Sequence, residues 1–320
     1  MSHAQITHRR AVRRTDDYTP HTPKVNIVTE PLPLPLSPTA VLIRVHAVAL
    51  NYRDANIANG GNPWPVLPHG ILGNDAAGEV IATGEKVKTL AVGDRAAPIT
   101  DTEQITERAT KRSWLAADED GVMADYIVYD ESVLCKLPVY LDWVQASMIP
   151  CAGVTAWSAL KGMRIGQTIL VQGTGGVSMF ALKLALAAGL RVILTSSSDA
   201  KLQAIKEKYA GSAILAVNYK NTPDMRCTRR GGVVSQVGYL GKQDPSELRE
   251  LVPTLIDRRI NLRGINAGSK LDMEDFCEAL SASQTLLDDL IDKVFPFEQA
   301  EEAVEYVWQG KQVGKVVLRL

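Results

Sequence analysis

Apolar and polar positions follow two rhythms along this chain, and the change of rhythm marks out its elements. In the first half the period is two. Residues 25–28 form a short strand. Residues 41–50 (VLIRVHAVAL) alternate, with Arg44 and His46 on one face, the mark of a half-solvated strand. Pro31, Pro33, Pro35 and Pro38 make an extended connector between them. Residues 70–95 interleave glycine with valine and predict short strands turned by glycines, a small barrel-like body. Residues 101–120 are polar and predict a surface loop. Strand character returns at 126–128 and 133–137.

In the second half, strands alternate with stretches of helical period. A helix opens at 141–148, is interrupted by Pro150-Cys151-Ala152-Gly153, and continues over 155–160. Strands at 169–171, 191–194, 213–217, 233–237 and 260–265 are separated by helices at 177–188, 199–209 and 245–256. Asp199 is placed to cap the second of these, with Leu202 and Ile205 as its apolar stripe. Helices over 273–286 and 297–308 and a strand over 315–320 finish the chain. There is no internal repeat. Alternation of this kind predicts a parallel sheet with helices on both faces, preceded by a β-rich domain.

Composition narrows the function classes. A formal net charge of −1 gives no pull toward nucleic acid or an acidic membrane. The apolar stretch near Phe180 is broken by Lys183, Gly189 and Arg191, too often for a membrane span. Cys135, Cys151, Cys227 and Cys277 are far apart and make no CxxC pair, against both a disulfide framework and a structural zinc lobe. A cytoplasmic setting follows as the expectation. Arg9, Arg10, Arg13 and Arg14 have the charge of an organelle presequence, but Asp16 and Asp17 follow at once, so a strand with exposed basic residues is expected there.

The chemistry concentrates in ILVQGTGGVSMF, residues 169–180. Gly173, Thr174, Gly175, Gly176 and Val177 lie between a strand and a helix. Glycines there let the backbone approach a diphosphate, and the helix N-terminus offers it free N–H groups. Ser178 stands where the third glycine of a dinucleotide turn would be. At the end of the next strand a carboxylate would hold the ribose of NADH. The chain instead has Ser196 and Ser197, with Lys201 one turn on, a set suited to the 2′-phosphate of NADPH. Lys201 can equally be a solvated helix lysine.

With these residues on the page, the chain resembles the medium-chain dehydrogenase/reductase superfamily, and its zinc-independent quinone-oxidoreductase-like and alcohol-dehydrogenase-like members most. HAVALNYRD, GILGNDAAGEV, VGDR, PCAGVTAW, GTGGVS, RRGGVVSQVG, NLRGINAGS and GKVVLRL match its landmarks in order. The resemblance implies a GroES-like β-rich catalytic domain over 1–148, a Rossmann-type doubly wound domain over 149–264, and a return to the catalytic domain over 265–320. It adds Thr155, Tyr219, Gly238, Gly268 and Ser269 to the cofactor contacts, and implies a homodimer. Asn51 and Tyr52 become the candidate catalytic residues. Asn51 would orient the substrate or the nicotinamide ribose, and Tyr52 would donate a proton or hydrogen bond. Both also suit a turn at a strand end, and Arg53 and Asp54 suit a structural pairing there.

Zinc-using relatives place Cys, His-Glu and Cys about the ion. Here the positions hold Asn51, Asn74 and Asp75, and only Cys151 survives. One thiol and an amide are a poor zinc set, so no catalytic metal is expected, with Cys151 packing as a small apolar residue. His46 and His69 would serve as ligands only in another geometry. Without zinc, the resemblance favours hydride transfer to a quinone, an enone or another conjugated carbonyl. Trp64 and Trp114 would suit a flat substrate, or simply pack at the surface. Rival readings are a zinc alcohol dehydrogenase and a catalytically impaired homologue that binds rather than reacts.

One departure stands out. Between Tyr219 and Gly231 the chain reads YKNTPDMRCTRRG, where the family has helix, strand and helix. Roughly thirty residues are absent, the size of a strand–helix repeat, with the junction near Met225 and Arg226. In the order 3-2-1-4-5-6 the lost strand is the one beside strand 1. Either residues 233–237 move in to pair with 169–171, or the sheet keeps a gap.

Overall fold

The structure, a computed structural model, describes residues 6–221, 228–238 and 249–320. The chain divides into two compact units. One is Met1–Val154 with Ala267–Leu320; the other is Thr155–Asn266.

The first unit is β-rich. Its strands are β1 (His8–Arg14), β2 (Val25–Pro31), β3 (Ala40–Leu50), β4 (Ala76–Thr83), β5 (Arg95–Pro98), β6 (Tyr126–Asp130), β7 (Leu134–Lys136), and, late in the chain, β13 (Ile291–Pro296) and β14 (Lys315–Arg319). β1 and β2 form an antiparallel pair. The other seven strands form one sheet in the order β13-β14-β3-β4-β5-β7, with β6 also on β3. β3 is the hub because it is long. β6 takes its first half (Ala40 to Arg44) and β14 its second (Ala47 to Leu50), while β4 runs along the other edge. Helices α1 (Tyr52–Ala58), α2 (Trp143–Ala146), α7 (Lys270–Ser283) and α8 (Ala300–Trp308) complete the unit. The core joins β3, β4 and β14 to α1 and α8 through Val41, Ile43, Ile57, Val304 and Val316.

Three expectations change here. β3 is not half-solvated: of its eleven residues only Arg44 is exposed, and His46 stacks on Trp143 at 4.3 Å. The loop over 101–120 is not all surface, since Leu115, Ala116 and Ala117 are buried and Asp101 pairs with Trp114 as a β-bridge. The basic N-terminal residues are in a strand, as expected, but mostly not exposed. Arg9 and Arg13 pair with Glu30 and Asp120, Arg10 with Asp125 and Glu298, and Arg14 is buried.

The second unit begins inside α3 (Val154–Leu160). It contains β8 (Thr168–Gln172), α4 (Gly176–Ala187), β9 (Arg191–Ser196), α5 (Asp199–Lys208), β10 (Ile214–Asn218), β11 (Val233–Val237), α6 (Leu251–Arg258) and β12 (Asn261–Ile265). β10, β9 and β8 form a parallel sheet in that order; β11 and β12 form a separate parallel pair. Among the described residues β11 does not pair with β8, so the gapped arrangement, not the inward shift, is the one observed. The junction near Met225 and Arg226, Cys227, and the first part of the helix expected over 245–256 lie outside the described residues. Parallel strands are normally covered on both faces. Here Ile169 and Leu170 of β8 are only half-buried, and Val233, Val237, Leu262 and Ile256 are exposed.

Candidate functional site

The first cluster follows from strand direction. β14 and β4 both run antiparallel to β3, so their first residues lie where β3 ends. Val316 faces Leu50, which puts Lys315 beside Asn51; Asp75, just ahead of β4, accepts a backbone bond from Ala49. Three residues far apart in sequence meet at one strand end.

The Lys315 ammonium is 2% exposed and is saturated by oxygens. It donates to the Leu50 carbonyl (2.8 Å), Asn51 Oδ1 (2.7 Å) and Asp75 Oδ2 (3.0 Å). Asn51 Nδ2 in turn donates to Asn74 Oδ1 and Asp75 Oδ2, both at 2.9 Å. A wide π-type turn at Ile149–Gly153 brings the backbone N–H of Cys151 to Asp75 Oδ1 at 2.5 Å. Asp54 accepts from the Asn51 backbone N–H at 2.8 Å. Full burial, opposed by that bond, raises the Asp54 pKa to about 6.

Sequence reasoning found Asn51, Asn74 and Asp75 here but missed Lys315, the residue that ties them together. Its one signal was a lysine opening the otherwise apolar run VVL. Tyr52 opens α1, is exposed, and stacks on Trp308 with ring centres 6.0 Å apart. Arg53 and Asp54 make the structural hydrogen bonds expected of them, Arg53 to the Leu115 carbonyl. Trp64 and Trp114 pack edge to face at 5.4 Å, with the Arg112 guanidinium over Trp114.

The donor chemistry bears on zinc. Both Asp75 oxygens are committed to N–H donors, and an ammonium stands against them. The Cys151 thiol is pushed up to about 12 by burial, with the Asp75 carboxylate adding to the shift, and it would be the one thiol among these positions. His46 lies against Trp143, and burial lowers its pKa; His69 is exposed, with its Nδ1 3.5 Å from an Asp16 carboxylate oxygen. These residues do not fit a metal ion.

The second cluster is the glycine turn. Gly173 has φ +83° and donates its N–H to the Thr195 carbonyl of β9 at 2.8 Å. Gly175 is the N-cap of α4, and a Cβ there would meet nothing within 4 Å, so the turn is open to a ligand. Ser178 Oγ donates to the Gln172 carbonyl, a bond a third glycine could not make. Ser196 and Tyr219 come together through the Tyr219 N–H and the Ser196 carbonyl at 3.2 Å. Lys201 sits in the first turn of α5. The cap of α5 is Ser198, not Asp199: Ser198 Oγ accepts from the Lys201 N–H at 3.3 Å.

The remaining cofactor candidates lie on other elements. Thr155 is buried at the start of the second unit, and Gly238 (φ +72°) is exposed just after β11. Gly268 and Ser269 belong to the first unit. Ser269 caps α7, and its N–H and hydroxyl are both engaged by Asp272.

Residues 37–139 match the family model for the alcohol dehydrogenase GroES-like domain, and residues 224–318 that for zinc-binding dehydrogenase. A zinc-type alcohol dehydrogenase-like protein of Schizosaccharomyces pombe is 33% identical, over 90% of this chain and 93% of its own length. That alignment runs over 328 positions but uses 90% of the 320 residues here, so some 40 positions face gaps in this chain. The acryloyl-coenzyme A reductase of Sulfurisphaera tokodaii is 27% identical over 87% of this chain and 92% of its own. A candidate alcohol dehydrogenase from Sinorhizobium meliloti 1021 superposes with a TM-score of 0.81 at 26% identity, covering 98% of this chain and 99% of that one. Taken with the β-rich unit, the parallel strands and the glycine turn between β8 and α4, these matches settle the family: the chain belongs to the medium-chain dehydrogenase/reductase superfamily of oxidoreductases, on its alcohol-dehydrogenase-like side.

Proposed function

We propose that the protein is a zinc-independent, NADPH-dependent oxidoreductase that transfers hydride to a quinone, an enone or another conjugated carbonyl. The observation that carries this reading is the buried Lys315–Asp75–Asn51 cluster where zinc-using relatives hold their ion. A site without a Lewis acid is poorly placed to polarise an alcohol. It suits acceptors whose own conjugation makes a carbon electrophilic. The kinship to an acryloyl-coenzyme A reductase supports the same class.

NADPH, when bound, would supply the hydride. The Gly173–Val177 backbone would hold its diphosphate, and Ser196, Ser197, Lys201 and Tyr219 its 2′-phosphate. Asn51 would orient the reacting groups. Tyr52 would provide the proton that, with the hydride, saturates the double bond. A homodimer in the cytoplasm belongs to this reading; Cys135, Cys151 and Cys277 are free thiols, and no helix of the described residues is long and apolar enough to cross a membrane.

The test is NADPH consumption across quinones, enones and aldehydes, before and after exhaustive treatment with a zinc chelator. Turnover of conjugated acceptors, unchanged by the chelator, is the expected result; activity that disappears with the metal would overturn it. The divided sheet favours a second reading, a homologue impaired in catalysis that acts as a binding protein. No quenching or shift of NADPH fluorescence at high micromolar cofactor would select it.

A further inference from the structure

The hydrogen-bond pattern around Lys315 assigns a direction to Asn51. An ammonium only donates, so the Asn51 atom it meets is the oxygen. Both Nδ2 hydrogens are then taken, by Asn74 Oδ1 and Asp75 Oδ2. Turning the amide over would set an NH2 against the ammonium and an oxygen against a carboxylate. The same logic fixes Asn74, whose oxygen must face Asn51 Nδ2. What the half-buried Asn51 side chain can offer a ligand is its Oδ1, an acceptor, which also faces the Asp54 backbone N–H in a capping box at the start of α1.

We propose that Lys315 is a positioning residue: its buried ammonium locks Asn51 as a hydrogen-bond acceptor, so Asn51 meets a donor on a bound molecule, a hydroxyl or an amide N–H, and not a carbonyl oxygen. This inference rests on the reading of Asn51 as a site residue. It also narrows that reading, because it removes Asn51 as a stabiliser of developing negative charge on the acceptor. The donor belongs either to the cofactor, through its ribose hydroxyls or carboxamide, or to a substrate that carries such a group.

Lys315→Met alone would leave Asp75 buried with its charge unopposed, so the informative variant is Lys315→Met with Asp75→Asn, which removes both charges and keeps the volume. In 15N-labelled protein, the Asn51 side-chain amide is identified by its loss in Asn51→Ser. In the wild type its protons should exchange at least tenfold more slowly than those of exposed asparagines. The double variant should lose that protection while its melting temperature stays within a few degrees. Unchanged protection in the folded double variant would overturn the proposal. NADPH fluorescence and steady-state kinetics with an enone then place the donor. A threefold or larger rise in the NADPH Kd puts it on the cofactor. An unchanged Kd with a tenfold fall in kcat/KM puts it on the substrate. A double variant with both quantities unchanged would overturn the proposal. If the wild type binds no NADPH, the enzyme reading falls, and the amide measurement still decides the role of Lys315.

Discussion

Asp54 shows how one buried carboxyl couples this site to pH. Its folded pKa, raised to about 6, lies above the ordinary carboxylate value near 4. The native state therefore binds the proton more tightly than the unfolded chain. The stability this contributes is fully present below about pH 4 and is lost as pH rises through about 6, on the order of 3 kcal/mol. Asp54→Asn keeps an oxygen for the Asn51 N–H and removes the charge. The variant should match or exceed the wild type in urea unfolding at pH 7.5, by up to about 3 kcal/mol, and lose that advantage by pH 4. Carboxylates such as Glu30, Asp94 and Asp130, whose pKa values are lowered, pull the other way in both proteins. The difference between variant and wild type isolates Asp54. At this scale Asn51, Asn74 and Asp75 were legible through the resemblance to zinc-using relatives. Lys315 was not, because no local pattern says that residue 315 lies against residue 51; only the β14–β3 register does.

Among elements, the turn between β8 and α4 was the easiest to read, since strand, glycines and helix follow within a dozen residues. Gly173 has φ +83°, a region that costs other residues about 1–2 kcal/mol. Gly173→Ala should lower stability by about that amount and weaken NADPH binding, as fluorescence titration would report. Its new Cβ would lie 3.8 Å from Ser178 Oγ, an ordinary contact, so the loss would come from the backbone and not from a clash. Elsewhere local reading faltered where two residues compete for one role. Ser198 and Asp199 both suit an N-cap, and Ser198 holds it because its backbone is still extended. β3 looked half-solvated because Arg44 and His46 share a face, yet neighbouring strands and Trp143 cover most of it. The burial of Leu115, Ala116 and Ala117 was hidden by the charges around them.

Across the whole molecule the two units are not equally well built. The first has a continuous seven-stranded sheet and a large buried core. Among the described residues the second has its strands in sets of three and two, and α6 has no buried residue among its eight. Unfolding should therefore proceed in two steps, the nucleotide-binding unit first. Calorimetry would show two transitions, and NADPH should raise only the lower one, since a ligand stabilises the unit that holds it. A single transition that shifts as a whole would argue that the units melt together. The loss of a strand was expected from sequence, because the polar, proline-containing stretch 219–231 has no strand pattern where the family has helix, strand and helix. How the sheet would respond was not, since closing up and staying apart demand the same residues.

Lys315 stands at the mouth of β14, where its charge is delivered by translation itself. An enzyme that borrows a metal ion is only as active as the supply it draws on, and a poorly supplied cell holds a mixture of filled and idle copies. Here every folded copy carries its own positive charge, in the same number and at the same atom. On the zinc-independent reading proposed above, scarcity or excess of zinc in the surroundings would leave its activity unchanged.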